Sequence, residues 1–212
     1  MKRDRDLRLL PWVAAAYALA SAAAIAWLDG PLARWIATRE KPAIANHAID
    51  YLEYASGIEP WKWTWHLALV GAALATTFLR RLQRFAPQVT YTALVALLSR
   101  NLMLWGKGIT GRLRPLEWLH DGGDATFFRH GIAFPSGHIV LFAGLAIPIA
   151  LAWPRAWPVL VVVPIAMLAR VSVDAHFASD TLAGVALVCV CAWLCAPVLT
   201  RPPRQPSPGA AG

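Results

Sequence analysis

The chain has 212 residues, of which 58% are hydrophobic and only 15% are charged. Soluble domains of this length are rarely so apolar, so the composition argues against a soluble globular protein and predicts a polytopic membrane protein. The net charge of +8 does not indicate nucleic-acid binding, because the basic residues lie at the ends of apolar runs and not along one polar face.

The first apolar run is Leu9–Leu28, about 20 residues without a charge, which is enough to cross a hydrocarbon core. Residues 1–8 before it are interpreted as a cytoplasmic tail. A basic start followed by an apolar run and Ala20-Ser21-Ala22 also resembles a signal peptide. We favour an uncleaved first span, because the run continues well past that triplet.

The segment Asp29–Pro60 mixes apolar and charged residues. This pattern predicts one or two short amphipathic helices on the membrane surface, separated at Pro42. Such a segment could help to admit a lipid.

Five further apolar runs complete the prediction of an all-α membrane protein with six transmembrane helices. They are Trp61–Leu79, Pro87–Trp105, Ser136–Trp153 with a kink near Pro148, a run that begins near Trp157 after a tight turn at Pro154-Arg155, and Thr181–Leu199. Residues 9–199 therefore form the membrane domain, with a catalytic core at 61–199, and residues 200–212 form a Pro-rich, disordered cytoplasmic tail. The three cysteines fall in the last run (Cys189, Cys191, Cys195), where we expect small membrane-buried residues and no metal site.

Charge asymmetry predicts the orientation of the six spans. The side that holds both termini carries ten basic residues and only two acids, whereas the other side carries ten of each. Because basic loops remain in the cytoplasm, the termini are predicted to be cytoplasmic. The chemically interesting residues then face the periplasm or exterior.

Two polar clusters on that outer side could bind phosphate. In the first, Lys107 precedes a Gly-containing turn with Arg112, Arg114 and Pro115, and such cations bind phosphate or, without chemistry, lipid headgroups. In the second, Pro135-Ser136-Gly137-His138 opens a helix whose free N–H groups could bind an anion beside His138. Its alternative reading is a capping turn with an interfacial histidine.

A third cluster supplies a candidate nucleophile. Arg170 lies below the outer headgroup level, which marks either a functional site or a structural pairing with Asp174 or Asp180. His176 and Asp180 are spaced i, i+4 and would meet if the segment were helical. A carboxylate on one imidazole nitrogen makes the other more nucleophilic, although such pairs also occur without catalytic roles.

Taken together, the three clusters resemble the type 2 phosphatidic acid phosphatase superfamily of membrane enzymes. That family's pattern is Lys-x6-Arg-Pro, then Pro-Ser-Gly-His, then Ser-Arg-x5-His-x3-Asp. The resemblance covers about residues 61–199. One departure is Ala169, which stands where the family has serine.

The resemblance implies a two-step phosphoryl transfer without metal or other cofactor. His176 would attack phosphorus, oriented by Asp180, and His138 would protonate the leaving oxygen and then activate water. The phosphate would be held by Lys107, Arg114, Arg170 and the backbone N–H groups at Ser136 and Gly137. Arg112 and Asp174 are possible accessory residues, and we expect Asp174 to tune His176 or to pair with Arg112.

The predicted function is therefore a lipid phosphatase of the plasma (bacterial inner) membrane. Candidate substrates are a polyprenyl diphosphate, phosphatidylglycerophosphate, phosphatidate or a lipid A phosphate. The same residues would serve a phosphotransferase that passes the phosphate to another lipid. A transporter or lipid-binding protein without turnover is the alternative of another class. The sequence leaves the headgroup and the oligomeric state open.

Overall fold

The structure is a computed structural model that describes residues 2–39, 64–124 and 126–200. These residues are helical apart from connecting segments, and the β-type pairing found among them is a single bridge between Arg112 and Phe128. The predicted all-α class is confirmed.

Eight α-helices are described, joined in places by tighter or wider helical turns. They are α1 (Lys2–Ala23), α2 (Asp29–Ala37), α3 (Thr64–Phe78), α4 (Ala86–Thr110), α5 (Pro115–His120), α6 (Gly137–Ala152), α7 (Val162–Ser172) and α8 (Ala178–Thr200). A π-helical turn joins α1 to α2 over Ala24–Leu28, and 3₁₀ turns precede α4 (Arg80–Phe85) and α7 (Pro154–Val161).

Three helical stretches are long and apolar enough to cross a membrane: Arg5–Ala37, Pro154–Ser172 and Ala178–Thr200. Helices α3 and α6 are apolar but shorter. These stretches indicate that the protein is integrated in a membrane. The total of six spans stays a prediction.

The first long helix corrects one sequence-based expectation. We predicted that a separate surface segment begins at Asp29, but α1, the π-helical turn and α2 form one continuous helical stretch. Asp29, Ala33 and Ile36 are buried along one face of α2, so packing extends the helix beyond the apolar run. The remainder of the predicted surface segment, including Pro42, lies outside the described residues, as does the predicted tail from residue 201 onward.

One predicted proline effect differs from the structure. The predicted tight turn at Pro154-Arg155 is instead the start of the 3₁₀ turn that leads into α7. Pro148 lies inside helix α6, and the predicted kink there stays a prediction.

The main core lies where the first and last helices pack along one another and against α4 and α6. Tyr91 of α4 is fully buried there, and its hydroxyl donates to the carbonyl of Ala192 in α8 at 3.1 Å. A second, smaller core lies beneath the loop after α4, where Trp118, Phe127 and Phe177 stack and meet edge to face with centroids 5.0 to 5.8 Å apart. This aromatic cluster braces the end of the bundle that carries the polar residues.

Candidate active site

The three polar clusters of the sequence converge at one end of the helical bundle. Lys107 lies in the last turn of α4, and its side chain passes within 3.8 Å of the position that a Cβ on Gly137 would occupy. The backbone N–H of Ser136 donates to the carbonyl of Asp180 at 3.0 Å. The start of α6 is therefore attached to the start of α8 on one side and to the end of α4 on the other.

His176 and Asp180 form the pair predicted from their spacing. The imidazole Nδ1 lies 3.3 Å from Oδ2 of Asp180, and the same oxygen accepts the backbone N–H of Phe177 at 2.9 Å. The reason for the contact differs from the prediction, because His176 lies in a bend and only Asp180 belongs to the first turn of α8. The chain turns so that the carboxylate receives both N–H groups.

The environment of His176 keeps its imidazole neutral. The side chain is only 3% exposed. Burial is the main cause that lowers the pKa of His176 to about 4, the contact with Asp180 opposes this effect, and the charges of Arg170 and Lys107 add to it. A neutral imidazole with Nδ1 on a carboxylate leaves a lone pair on Nε2 at neutral pH.

Ser136 precedes the first residue of α6 but does not cap it with its side chain. Its backbone N–H donates to the carbonyl of Asp180, and the predicted role of this N–H in holding phosphate stays a prediction. The Ser136 hydroxyl is instead fully buried and has no hydrogen-bond partner among the described residues. If Ser136 contacts a phosphate, its Oγ is the available atom. Gly137 begins α6, where the first N–H groups have no acceptor within the helix.

The predicted phosphate-binding cations come from three different segments. Lys107 donates through Nζ to the carbonyl of Ile132 and interacts electrostatically with Arg114 and Asp180. Arg114 directly precedes α5, where its backbone N–H donates to the Glu117 carboxylate at 2.8 Å. Arg170 lies in the last turn of α7, and its carbonyl accepts the backbone N–H of His176 at 3.2 Å.

His138, the predicted general acid, lies in the first turn of α6 and is half-buried. The expectation that its side chain faces the site opened by Pro135-Ser136-Gly137 stays a prediction. The catalytic and phosphate-binding roles of all these residues stay predictions.

Arg112 is a structural centre of the site and not a peripheral cation. Its guanidinium is fully buried and donates to Asp180 Oδ1 at 2.8 Å and to Asp29 Oδ2 at 2.6 Å. The rings of four phenylalanines surround it at 4.6 to 5.6 Å, namely Phe127, Phe128, Phe134 and Phe177. Two carboxylates and several ring faces compensate the loss of hydration of the buried cation.

Asp29 and Ser179 are site neighbours that the sequence analysis missed. The Ser179 hydroxyl lies 2.5 Å from both Arg112 Nη1 and Asp29 Oδ2, and its backbone N–H donates to Asp29 Oδ1 at 3.2 Å. The signal available in the sequence was a single carboxylate at the end of the first apolar run.

Asp174 is 1% exposed and has a left-handed backbone with φ of 56°. It lines the same narrow cavity as Asp29 and His176. The ion pairs of Arg112 are formed with Asp29 and Asp180. The role of Asp174 in tuning His176 stays a prediction.

Comparison with known proteins decides the family. A family model for the PAP2 superfamily matches residues 86–203, which is more than half of the chain. The chain belongs to the PAP2 superfamily. The match includes every predicted site residue, from Lys107 to Asp180. The comparison with curated proteins found no match, and neither did the comparison with solved structures.

Members of the PAP2 superfamily are phosphatases, so the general activity of this protein is hydrolysis of phosphoric esters. The apolar helices and the family together fit a membrane lipid as substrate. Within the described residues, no group of three or more His, Cys, Asp or Glu side chains is arranged to hold a metal ion.

Proposed function

We propose that this PAP2 protein hydrolyses a phosphate monoester or diphosphate on a membrane lipid through a phosphohistidine at His176. The observation that carries the proposal is the buried His176–Asp180 pair at the point where the three polar clusters meet. A neutral imidazole held by a buried carboxylate, with several cations beside it, is suited to attack on a phosphate.

In the first step, Nε2 of His176 forms a bond to phosphorus while the bond from phosphorus to the lipid oxygen breaks. His138 gives its proton to that leaving oxygen, so the alcohol or lipid phosphate departs carrying that proton. Asp180 holds the Nδ1–H and stabilises the positive charge that develops on the ring. Lys107, Arg114 and Arg170 offset the charge on the equatorial oxygens, as does the Gly137 N–H, while Ser136 would donate through Oγ.

In the second step, His138 accepts a proton from a water molecule that attacks phosphorus. The P–N bond breaks, its electron pair returns to Nε2 of His176, and inorganic phosphate leaves. The enzyme regains its starting protonation state, because the proton lost by His138 in the first step is recovered in the second.

The membrane arrangement supports a lipid substrate that enters from the outer leaflet. Arg170 lies at the end of the Pro154–Ser172 stretch, where a lipid headgroup phosphate would be located. The charge distribution of the loops favours cytoplasmic termini and a site that faces the periplasm or exterior of the plasma membrane.

The test is phosphate release by purified protein in detergent with EDTA, compared with a His176→Ala variant of equal thermal stability. The substrate panel contains phosphatidate, phosphatidylglycerophosphate, undecaprenyl diphosphate and a phosphorylated lipid A. We expect release that survives EDTA and is lost in His176→Ala, and acid-labile, base-stable phosphate on the wild-type chain after a rapid quench. Release that requires a divalent metal would overturn the mechanism.

The same panel separates the alternatives. Loss of phosphate from one lipid with its appearance on a second lipid, and no free phosphate, would identify a phosphotransferase. Saturable binding without any change to the four lipids by folded protein would identify a non-catalytic lipid-binding protein.

A further inference from the structure

Asp29, in the first long helix, lies outside the segment matched by the PAP2 model, yet its carboxylate is bound within the candidate active site. We propose that Asp29 is a positioning residue for the nucleophile: through Arg112 and Ser179 it fixes Asp180, and it maintains a net negative charge behind His176. This inference rests on the proposed phosphohistidine mechanism.

Both oxygens of the Asp180 carboxylate have hydrogen-bond partners. Oδ2 receives the His176 ring and the Phe177 N–H, so it orients the nucleophile. Oδ1 receives Arg112 at 2.8 Å. Because a carboxylate is planar, the position of Arg112 determines how Oδ2 is presented to the ring.

Asp29 in turn determines the position of Arg112. Asp29 Oδ2 accepts Arg112 Nη2 at 2.6 Å, while Nη1 of the same guanidinium contacts Asp180. The guanidinium is planar and rigid, so a carboxylate on one nitrogen fixes the direction of the other. The surrounding phenylalanine rings restrict its tilt but cannot choose its rotation in the plane.

Asp29 also holds the start of α8. Its Oδ1 accepts the backbone N–H of Ser179, and its Oδ2 accepts the Ser179 hydroxyl. The Asp29 carboxylate thereby binds the Ser179 N–H, which lies in the first turn of α8. The helix dipole also favours a carboxylate at this position. Asp180 is the next residue, so the same carboxylate fixes both the backbone and the cation that present Asp180.

Asp29 also changes the net charge of the group that contains Asp180. Arg112 alone would neutralise Asp180, whereas Asp29, Arg112 and Asp180 together carry a net charge of minus one. Phosphorylation of Nε2 with the proton retained on Nδ1 makes the imidazole ring cationic, and the net negative charge behind the ring then balances it. The charged groups that act on His176 are Asp180, Arg170 and Lys107, and Asp174 lines the same cavity, so the negative charge at Asp180 opposes two nearby cations.

The experiment compares Asp29→Asn with Asp124→Asn. Asparagine at position 29 keeps the shape and an accepting oxygen but removes the charge. Asp124 is an exposed carboxylate paired with Arg129 at the surface, outside the buried network, so its variant should match wild type. For Asp29→Asn we expect kcat to fall about 10- to 100-fold with KM changed less than about threefold, as for residues that orient metal-bound histidines.

A second measurement compares inhibition by vanadate with inhibition by inorganic phosphate. A purely structural role of Asp29 would not change the ratio of the two inhibition constants. Vanadate adopts the five-coordinate geometry of phosphoryl transfer and needs the oriented nucleophile, whereas phosphate needs only the cations. We expect Asp29→Asn to weaken vanadate inhibition about tenfold or more and to leave phosphate inhibition within about twofold. Equal weakening of both inhibitors would overturn the proposal.

A Ser179→Ala variant keeps both ion pairs and tests the link if Asp29→Asn does not fold. We expect Ser179→Ala to lower kcat and to weaken vanadate inhibition, each by about fivefold, without changing KM. Wild-type kcat and wild-type vanadate inhibition in this variant would overturn the proposal. The two failures are distinguishable. If Asp29→Asn turns over substrate as fast as wild type, only the positioning role is rejected. If wild type shows no turnover and does not differ from His176→Ala, the proposed function is rejected.

Discussion

At the scale of single residues, the site separates two kinds of charged group. Arg112, Asp29 and Asp180 are fully or almost fully buried and bind one another, so they act as a fixed scaffold. Removing one partner of a buried ion pair leaves an uncompensated charge and costs about 3–5 kcal/mol. Lys107 and Arg170 act on His176 through their charges and are less deeply buried, which suits groups that must exchange water for substrate.

The lowered pKa of His176 predicts a pH-dependent stability. In the folded protein this pKa is about 4, whereas the unfolded chain has the ordinary value near 6.5. Between these values only the unfolded chain binds the proton, so stability is complete above pH 6.5 and falls as the pH decreases toward 4, by on the order of 3 kcal/mol. Thermal unfolding in detergent from pH 8 to pH 4.5 measures the effect.

The control is a pair of histidine substitutions. His176→Asn preserves a donor to Asp180 but cannot titrate, so its melting temperature should fall less than that of wild type over the same range. His120→Asn changes an exposed histidine at the end of α5 and should preserve the wild-type slope. Parallel curves for wild type and His176→Asn would show that the imidazole is not held neutral by the fold.

At the scale of elements, the loop after α4 is the support that places Arg112. The N–H of Gly131 donates to the carbonyl of Gly111 at 2.8 Å, and the N–H of Ala133 donates to the carbonyl of Arg112 at 2.8 Å. The two arms of the loop therefore pair closely around Arg112. Trp118, Phe127 and Phe177 pack beneath this pairing, so the loop is anchored by apolar burial as well as by hydrogen bonds.

Gly131 is required by that pairing, and we expect Gly131→Ala to disrupt it. A Cβ at this position would lie 2.1 Å from the Arg112 carbonyl oxygen, so the loop arms must separate. We expect the loss of one or two backbone hydrogen bonds, about 0.5–1.5 kcal/mol each, and a kcat at least tenfold lower because Arg112 moves. Phosphate release and the melting temperature are the measurements.

The matched control for Gly131→Ala is Gly71→Ala. Gly71 lies on an exposed face of α3, and an added Cβ would meet nothing within 4 Å. Its substitution should change stability by no more than about 1 kcal/mol and leave kcat at the wild-type value. If both alanine variants have wild-type kcat, the loop pairing does not position Arg112.

The sequence predicted the elements near the motifs better than the contacts between distant segments. The spacing of His176 and Asp180 and the helix start at Ser136-Gly137 are local patterns, and the structure brings them together at one bundle end. The pairing of Asp29 with Arg112 joins positions 83 residues apart, and no local periodicity encodes it. The mixed polarity after Asp29 predicted a surface segment, because burial of a carboxylate cannot be inferred before its cationic partner is known.

The hydrogen-bond partner of the Ser136 N–H could not be predicted from the sequence for a related reason. The sequence indicates that α6 begins near this serine, and first-turn N–H groups are generally free to bind an anion. The structure instead uses this N–H to join α6 to α8 through the Asp180 carbonyl. Such a tertiary hydrogen bond depends on how two helices pack, which the sequence pattern of one helix does not contain.

At the scale of the whole molecule, the site residues that belong to helices lie toward helix ends that meet on one side of the bundle. Asp29 and Arg170 lie toward the C-terminal ends of their helical stretches, as does Lys107, whereas His138 and Asp180 lie in first turns. Helices that alternate in direction bring these ends to one side. The opposite connections carry a basic group, namely Arg80, Arg81, Arg84 and Arg155. This separation supports the proposal that the site faces away from the cytoplasm.

Single-cysteine labelling of intact cells tests that orientation. Asp121 is exposed in the loop on the site end, and Gln83 is exposed in the 3₁₀ turn before α4. In a background with Cys189, Cys191 and Cys195 replaced by alanine, a membrane-impermeant maleimide should label Asp121→Cys in intact cells and Gln83→Cys only after lysis. The positive-inside asymmetry requires this result, because the arginines beside Gln83 would otherwise have to be translocated. Labelling of Gln83→Cys but not of Asp121→Cys in intact cells would place the site in the cytoplasm and exclude an outer-leaflet substrate. Labelling of both cysteines in intact cells would contradict the separation of the two bundle ends by a membrane.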